Sequence, residues 1–248
     1  MAGHSQFKNI MVRKGAQDKK RGKLFTKIIR EIMVSAKAGG DISKNPRLRA
    51  AVIKARQENM PKDKIENAIA KGSGANNTEN YDAVRYEGYG PAGVAIMVEA
   101  LTDNRNRTAS SIRDIFTKHG GTMGESGSVG FMFEHIGLVE YPAAQILEEA
   151  MLEAAIEAGA DNCETSGGVH VITCSMESFG MVRDMLAAKF GDAPSAKLAW
   201  SAKITAPASG EAAKDLLELV EALEDNDDVQ EVYTNVEMTA DTLEKLSA

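Results

Sequence analysis

The sequence predicts an α+β protein of three domains, because three different patterns follow one another along its 248 residues. A basic segment with an apolar period of 3.6 residues predicts a helical domain at 1–78. Strand and helix patterns then alternate, and 136–205 shows the order β-α-β-β-α-β of a ferredoxin-like unit. We therefore assign 79–135 plus 206–248 to a middle α+β domain into which the ferredoxin-like domain is inserted.

The N-terminal domain is predicted to hold three helices behind a basic arm. Residues 1–22 have little apolar periodicity and predict an irregular arm. The first helix is predicted to begin at Lys23 and to end before Gly39-Gly40. The second and third helices begin near Pro46 and Pro61, because proline suits a first helical turn. One face of the first helix carries Leu24, Phe25, Ile28, Ile29, Ile32, Met33 and Ala36, and the opposite face carries Lys23, Lys27, Arg30 and Lys37.

The later elements are predicted from period-two alternation, helical periodicity and turn residues. Predicted strands cover 81–86, 94–101, 128–133, 137–141, 162–165, 169–174, 196–203 and 229–237. Predicted helices cover 108–119, 143–158, 176–190 and 211–224. The glycine-rich and polar stretch 72–80 predicts a linker between the basic helices and the first strand.

Charge is segregated along the chain, so the net charge of −7 is misleading. Residues 1–74 contain 18 Lys and Arg against 6 Asp and Glu, a net charge of +12. Residues 75–248 contain the other 11 basic and 30 acidic residues, a net charge of −19. A basic front segment is attracted to phosphate and an acidic rear segment is repelled by it. This asymmetry indicates a protein that contacts nucleic acid.

Cations near the N-terminus are the first candidate binding residues. Only Asp18 opposes nine bases between residues 8 and 30, so ordinary pairing within a solvated charged face does not account for them. Many cations in register gain affinity for phosphates by releasing counterions. The predicted nucleic-acid-binding residues of the arm and first helix are Lys8, Arg13, Lys14, Lys19, Lys20, Arg21, Lys23, Lys27 and Arg30. Arg47 and Arg49 of the second helix and Arg105 and Arg107 extend the set.

Two helical features leave alternatives open. The second and third predicted helices are compatible with a helix-turn-helix, but a plain helical hairpin is commoner. Asp63 and Glu66 also lie where a recognition helix would contact bases.

Arg105 and Arg107 precede Thr108 at the start of a predicted helix, a place that attracts phosphate. The alternative there is a structural loop in which an arginine pairs with Asp103.

Two further motifs are interpreted as structural. Residues 88–93 match G-x-G-x-x-G, but a dinucleotide fingerprint opens a helix, and here a strand follows. We interpret them as a tight connection between strands. The acidic run at 224–228 lacks the terminal glutamate of an EF-hand. It is predicted to be a solvated turn before the last strand.

No catalytic grouping is found in the sequence, so we expect no enzyme activity and no cofactor. His4, His119, His135 and His170 have no metal-ligand spacing, and there is no P-loop or G-x-S-x-G. Two cysteines are too few for a disulfide framework and fit a reducing cytoplasm. The longest apolar run, 94–98, is too short to cross a bilayer, so no membrane contact is expected.

Several long motifs make the sequence similar to the YebC family. They are GHSQFKNI at 3–10, RKGAQDKKRGKLFTKIIREI at 13–32, NPRLRAA at 45–51, NMPKDKIENAIAKG at 59–72, YEGYGPAGVAIMVEALTDNRNRT at 86–108 and GSVGFMF at 127–133. The resemblance implies three domains and a cytoplasmic, non-enzymatic protein. Gln6-Phe7 and Met11-Val12 depart from the pattern, since many members have Lys-Trp at the first pair and a Lys or His at the second.

The resemblance leaves two nucleic-acid targets. Bacterial members are generally described as DNA-binding transcriptional regulators, which is the function we expect. The alternative is a translation factor that binds rRNA or tRNA on the ribosome, because the mitochondrial relative activates translation of cytochrome c oxidase and some bacterial members relieve stalling. The acidic C-terminal domains are a further candidate surface for a protein partner.

Overall fold

The computed structural model describes residues 17–74, 80–239 and 242, and it shows a mixed α+β protein. The N-terminal helices are α1 (Gln17–Ala36), α2 (Pro46–Gln57) and α3 (Lys62–Ser73). Next come β1 (Asp82–Tyr89), β2 (Ala95–Thr102), α4 (Arg105–Lys118), β3 (Thr122–Met123), β4 (Phe133–Pro142), α5 (Glu148–Glu157), β5 (Asn162–Ser166) and β6 (Val169–Ser175). The chain continues with α6 (Phe179–Phe190), β7 (Ser195–Ala202), β8 (Ala206–Pro207), α7 (Gly210–Glu224), β9 (Val229–Thr234) and β10 (Val236–Glu237).

The N-terminal helices pack around their own apolar core. Its buried members include Ile28, Ile32, Met33, Leu48, Val52, Ile65 and Ala68. Asn45 ties two helices together, because its Oδ1 accepts the N–H of Leu48 at 3.0 Å and its Nδ2 donates to the Ser35 carbonyl at 2.8 Å. The prediction that the first helix begins at Lys23 is wrong. The helix begins at Gln17, since Gln, Lys and Arg favour a helix even without an apolar stripe.

The first sheet has the strand order β3-β1-β2-β9, and both of its faces are partly covered. Ile96 and Val98 of β2 pack with Phe116 of α4 and Leu216 of α7. The alternating residues Ala95 and Met97 pack instead in a cluster with residues of β4 and β7. Side chains alternate between the faces of a strand, so burial on both faces explains the continuous apolar run of β2.

The second sheet has the order β5-β6-β4-β7, with β4 paired antiparallel to both β6 and β7. This is the strand order of a ferredoxin-like unit. The core beneath α5 and α6 includes Val139, Met151, Ile172 and Leu186. Helix α5 is shorter than predicted, because Ala143 and its neighbours form a turn before Glu148.

The predicted strand 128–133 is wrong. A 3-10 turn at Gly130–Met132 occupies most of this stretch, and β4 begins only at Phe133. The buried carboxylate of Glu87 accepts the backbone N–H groups of Val129 and Gly130, each at 2.8 Å. Those N–H groups are therefore not available to a neighbouring strand.

The glycine-rich segment 88–93 is a tight connection, as predicted. A 3-10 turn at Pro91–Gly93 joins antiparallel β1 and β2, and the Gly90 N–H donates to the Val94 carbonyl at 2.8 Å.

The predicted last strand is interrupted at Asn235, whose side chain accepts the Ala95 N–H at 2.7 Å and donates to the Ile204 carbonyl at 2.9 Å. In the described parts of the chain, no helix is long and apolar enough to cross a membrane.

Candidate nucleic-acid interface

Three of the four cations predicted on one face of α1 form a cationic stripe against the acidic turn, which we define as residues 224–228. The fourth, Lys37, follows the end of α1 and donates to Asn80 Oδ1 at 3.1 Å. Lys23 Nζ lies 2.6 Å from Asp225 Oδ2 and donates to the carbonyl of the same residue at 2.9 Å. Lys27 donates to the Glu224 carbonyl. Arg30 donates to the Asp227 carbonyl and lies 2.9 Å from Asp228 Oδ1. The stripe therefore docks α1 on the end of α7.

Asp228 is the centre of this contact. Its Oδ2 accepts the Thr108 hydroxyl at 2.6 Å and lies 3.2 Å from Arg107 Nη2, while its Oδ1 faces Arg30. Burial alone raises the pKa of this carboxyl, but the bonds from Thr108 and Arg107 and the charge of Arg30 outweigh it and lower the pKa. The group is therefore a carboxylate at neutral pH, held by two arginines.

The acidic turn precedes the last long strand, β9, as predicted, but it is only partly solvated: Asp225 and Asp227 are exposed, whereas Asp228 is buried. The Asp228 side chain is only 10% exposed, against 63% for Asp225. The turn is ordered because carbonyls at helix ends need donors, and the cations of α1 supply them. The opposite charges of the two parts of the sequence were the signal from which a contact between α1 and the acidic turn could have been predicted.

Lys27 shows how closely the stripe is packed. Burial lowers the pKa of its ammonium group, and Lys54 adds to this effect. The carboxylates of Glu224, Glu231 and Asp225 act in the opposite direction without cancelling it. Lys54 and Arg56, which were not among the predicted binding residues, are exposed on α2.

Arg105 and Arg107 are paired with carboxylates rather than presented as an empty anion site. Arg107 Nη2 lies 2.6 Å from Asp103 Oδ1, and Arg105 Nε lies 2.9 Å from Asp82 Oδ2. The cap of α4 is Asn104, whose Oδ1 accepts the Arg107 N–H at 3.0 Å. The alternative's pairing of an arginine with Asp103 is observed for Arg107, but both arginines lie in the first turn of α4 and not in a loop.

Arg47 and Arg49 hold the N-terminal helices together. The Arg47 guanidinium contacts both carboxylate oxygens of Glu31 on α1, at 2.7 and 3.1 Å. Arg49 donates to the carbonyls of Ile42 and Ser43, at 3.2 and 2.7 Å. Both side chains therefore make internal contacts that the sequence reasoning did not assign to them.

The other predicted cations precede this docked stripe. Lys8, Arg13 and Lys14 lie outside the described residues. Lys19, Lys20 and Arg21 lie in the first turns of α1, where only the backbone is described. The prediction that these six residues bind nucleic acid stays a prediction.

A cluster around Trp200 joins the two sheets and was missed in the sequence. The indole Nε1 donates to Glu99 Oε1 at 2.9 Å. The Arg85 guanidinium lies 4.2 Å from the ring centroid, and His135 stacks with the ring at a centroid distance of 4.5 Å. Four different strands supply these side chains, so no local sequence motif could have predicted the cluster.

Neither cysteine thiol is activated by its surroundings. Burial raises the pKa of both the Cys163 and the Cys174 thiol, which disfavours the reactive thiolate. Cys174 is buried on β6. Within the described parts of the chain, no group of three His, Cys, Asp or Glu side chains is arranged to hold a metal ion.

Two family models match nearly the whole chain. The TACO1/YebC protein N-terminal domain matches residues 5–75, and the TACO1/YebC second and third domain matches residues 81–236. The chain belongs to the TACO1/YebC family. The resemblance found in the sequence motifs is thereby confirmed.

A solved structure is also similar to this TACO1/YebC chain. It is a conserved hypothetical protein, Aq1575 from Aquifex aeolicus, and it is 44% identical in sequence. The match covers 90% of this chain and 92% of that chain, with a TM-score of 0.83. The TACO1/YebC fold of this chain is therefore shared with an independently determined structure.

Proposed function

We propose that this protein is a non-enzymatic, cytoplasmic regulator of gene expression that binds nucleic acid, and that its target is DNA in transcription. The observation that carries the proposal is the net charge of +12 over residues 1–74 beside −19 over the rest. Part of this positive charge is paired internally through α1. The six cations from Lys8 to Arg21 precede the paired stripe and are the residues that we propose to contact phosphates.

The division of charge has a physical consequence for binding. Each phosphate neutralised by a Lys or Arg releases condensed counterions, so affinity depends steeply on salt. The acidic remainder of the chain is repelled by the same phosphates and is kept away from them. The N-terminal cations therefore set both the affinity and the orientation of the complex.

The first prediction concerns these arm cations. A triple variant in which Lys8, Arg13 and Lys14 are all replaced by Ala is expected to bind duplex DNA more weakly. Each lost phosphate contact lowers the slope of log affinity against log salt by about 0.9, so the slope should fall by up to about 2.7. Fluorescence anisotropy at several salt concentrations measures both quantities.

A matched variant controls for total charge. Lys118, Lys189 and Lys214 are exposed lysines of α4, α6 and α7, and replacing them with Ala removes the same charge. This control is expected to keep the wild-type slope within experimental error. If the arm variant also keeps the wild-type slope, the arm is not the contact.

A specific observation favours the alternative target, rRNA or tRNA on the ribosome. Helix α3 is the element that would read a DNA groove, and it carries Asp63 in its first turn and an exposed Glu66 paired with Lys62. Carboxylates are repelled by the phosphates that line the groove. Footprinting on promoter DNA and co-sedimentation with ribosomes in sucrose gradients separate the two. Competition by any random DNA fragment would remove the specific transcriptional claim, and absence from ribosomal fractions at low salt would remove the ribosomal one.

We also propose that the three-domain arrangement, with 136–205 inserted in the middle domain, separates nucleic-acid binding from protein binding. Leu152 and Ile156 of α5 and Met181 and Met185 of α6 are exposed apolar side chains. Helix α5 adds Glu148, Glu149, Glu153 and Glu157 and no basic residue. This chemistry fits a basic amphipathic helix of a protein partner. Replacing Met181 and Met185 with Glu should abolish binding of a synthetic Leu/Lys helix, while the same change at exposed Leu147 should not.

A further inference from the structure

The contact between the N-terminal helices and the rest of the molecule is chiefly polar. In the described residues, none of the buried apolar clusters contains members of both α1–α3 and the later strands and helices. From α1, Lys23, Lys27 and Arg30 make ion pairs and hydrogen bonds with the acidic turn. Tyr81, which precedes β1, packs against the core of the N-terminal helices with its ring centroid 5.4 Å from Arg30, and α2 lies beside β7. The ionic contacts of α1 with the acidic turn are weakened by salt and can be exchanged for other anions.

The acidic turn presents to α1 the same chemistry as a nucleic-acid backbone. Asp225 and Asp228 contribute carboxylates, and Glu224, Asp225 and Asp227 contribute carbonyl oxygens. Lysine and arginine donate equally well to the oxygens of phosphates. An extended phosphate backbone can therefore supply acceptors for all three cations at once.

We infer that the acidic turn is an internal substitute for a phosphate backbone, and that nucleic acid displaces it from Lys23, Lys27 and Arg30. The inference rests on the proposed function and adds regulation to it. In the docked molecule the acidic turn occupies these three side chains, and the exposed fraction is 33% for Lys23 and 15% for Arg30. Binding through it requires the N-terminal helices to leave the acidic turn, so docking and nucleic-acid binding compete for the same three side chains.

Only undocked molecules can bind nucleic acid through these three side chains. The apparent affinity is therefore the intrinsic affinity multiplied by the fraction of molecules that are undocked. A change that weakens docking without touching the cations must therefore tighten nucleic-acid binding. Asp225 allows this change, because its side chain contacts Lys23 and is largely exposed. Asp227 is its matched control, since it is two residues away and, among the side chains that the structure describes, its contact with α1 is made through the backbone carbonyl.

The affinity experiment compares Asp225→Asn with Asp227→Asn, which change the net charge equally. Asp225→Asn should bind a short DNA duplex or an RNA hairpin about threefold to tenfold more tightly than the wild type. Asp227→Asn should stay within about twofold of the wild type. If the wild type binds and the two variants bind equally, the competition is absent but the proposed function stands. If no form binds any nucleic acid, both proposals fail.

Zero-length crosslinking detects displacement directly in the wild-type protein. A carbodiimide activates a carboxylate, and a neighbouring lysine amine then displaces the urea product to form an amide. Lys23 and Asp225 lie 2.6 Å apart, and Lys197 and Glu231, which join β7 to β9, also lie 2.6 Å apart. Saturating duplex or hairpin should lower the yield of the first crosslink severalfold, measured by mass spectrometry, and leave the second unchanged. An unchanged Lys23–Asp225 yield with nucleic acid bound would overturn the inference.

Discussion

Two buried carboxylates show how single side chains position the loops of this protein. Glu87 accepts backbone N–H groups of the loop before β4, and Asp228 joins α1 to α4. In both, burial alone raises the pKa of the carboxyl, and hydrogen bonds or neighbouring cations lower it further than burial raises it. A carboxylate in this setting stabilises the fold only while it is ionised.

Replacing Glu87 with Gln is expected to lower the free energy of unfolding by roughly 1–3 kcal/mol near neutral pH, because an amide accepts those N–H bonds less strongly. The folded pKa lies below the unfolded value. The contribution of Glu87 is therefore complete above the unfolded pKa of about 4.3 and is lost as the pH falls through the folded pKa. Urea unfolding of both proteins at several pH values should show a difference that shrinks in acid.

The exposed Glu125 of the same loop provides the control for this measurement. Glu125→Gln is expected to leave the free energy of unfolding within about 0.5 kcal/mol of the wild type. A Glu87→Gln difference that persists in acid would contradict a role for the ionised carboxylate.

At the scale of elements, the packing of α1 against α3 depends on a close approach of their backbones. A Cβ built on Gly72 would lie 2.4 Å from the Met33 carbonyl oxygen and 2.8 Å from the Met33 Cα. No side chain fits there without moving one helix. Gly22 of α1 has nothing within 4 Å of a built Cβ, so its lack of a side chain serves no packing purpose.

The two glycines should respond oppositely to alanine. Gly72→Ala is expected to destabilise the N-terminal helices by about 1–3 kcal/mol, because overpacking forces the helices apart. Gly22→Ala is expected to stabilise them by about 0.5–1 kcal/mol, because alanine loses less backbone entropy in a helix. Thermal unfolding monitored by circular dichroism measures both changes, and equal shifts for the two variants would contradict the packing described.

At the scale of the whole molecule, Asp228 connects segments that are far apart in the sequence. Its carboxylate contacts Arg30 of α1 and Arg107 and Thr108 of α4, and its backbone carbonyl accepts the Leu101 N–H at 2.8 Å. Removing its charge leaves two arginines without their shared partner. Removing one partner of a buried ion pair lowers the free energy of unfolding, because the other charge is left buried without a partner. This holds even where the intact pair itself adds little stability.

Asp228→Asn is therefore expected to lower the free energy of unfolding by roughly 2–3 kcal/mol. Asp227→Asn removes the same charge from the neighbouring, exposed side chain and is expected to change it by no more than about 0.5 kcal/mol. Urea unfolding of the two variants measures the difference. Equal free energies of unfolding for the two variants would mean that the total negative charge of the turn, and not the position of Asp228, stabilises the contact.

Much of the fold could be predicted because hydrophobic periodicity is local. The positions of α2, α3, β1 and β2 follow from apolar spacing, proline and glycine, and the ferredoxin-like order of the second sheet follows from the sequence of its elements. The start of α1 was missed because its first turns are held by helix propensity without an apolar stripe. The turn at Gly130–Met132 was missed because a distant carboxylate holds it.

By itself, the sequence determined the family, the α+β class and the separation of positive from negative charge, because each is written in neighbouring residues. Only the tertiary structure decided what those charges contact. Lys23 and Asp225 are 202 positions apart, and nothing local selects one as the partner of the other. Folding brings the end of α7 beside α1, and electrostatic attraction acts on that proximity, so the availability of the cationic stripe is a property of the folded molecule.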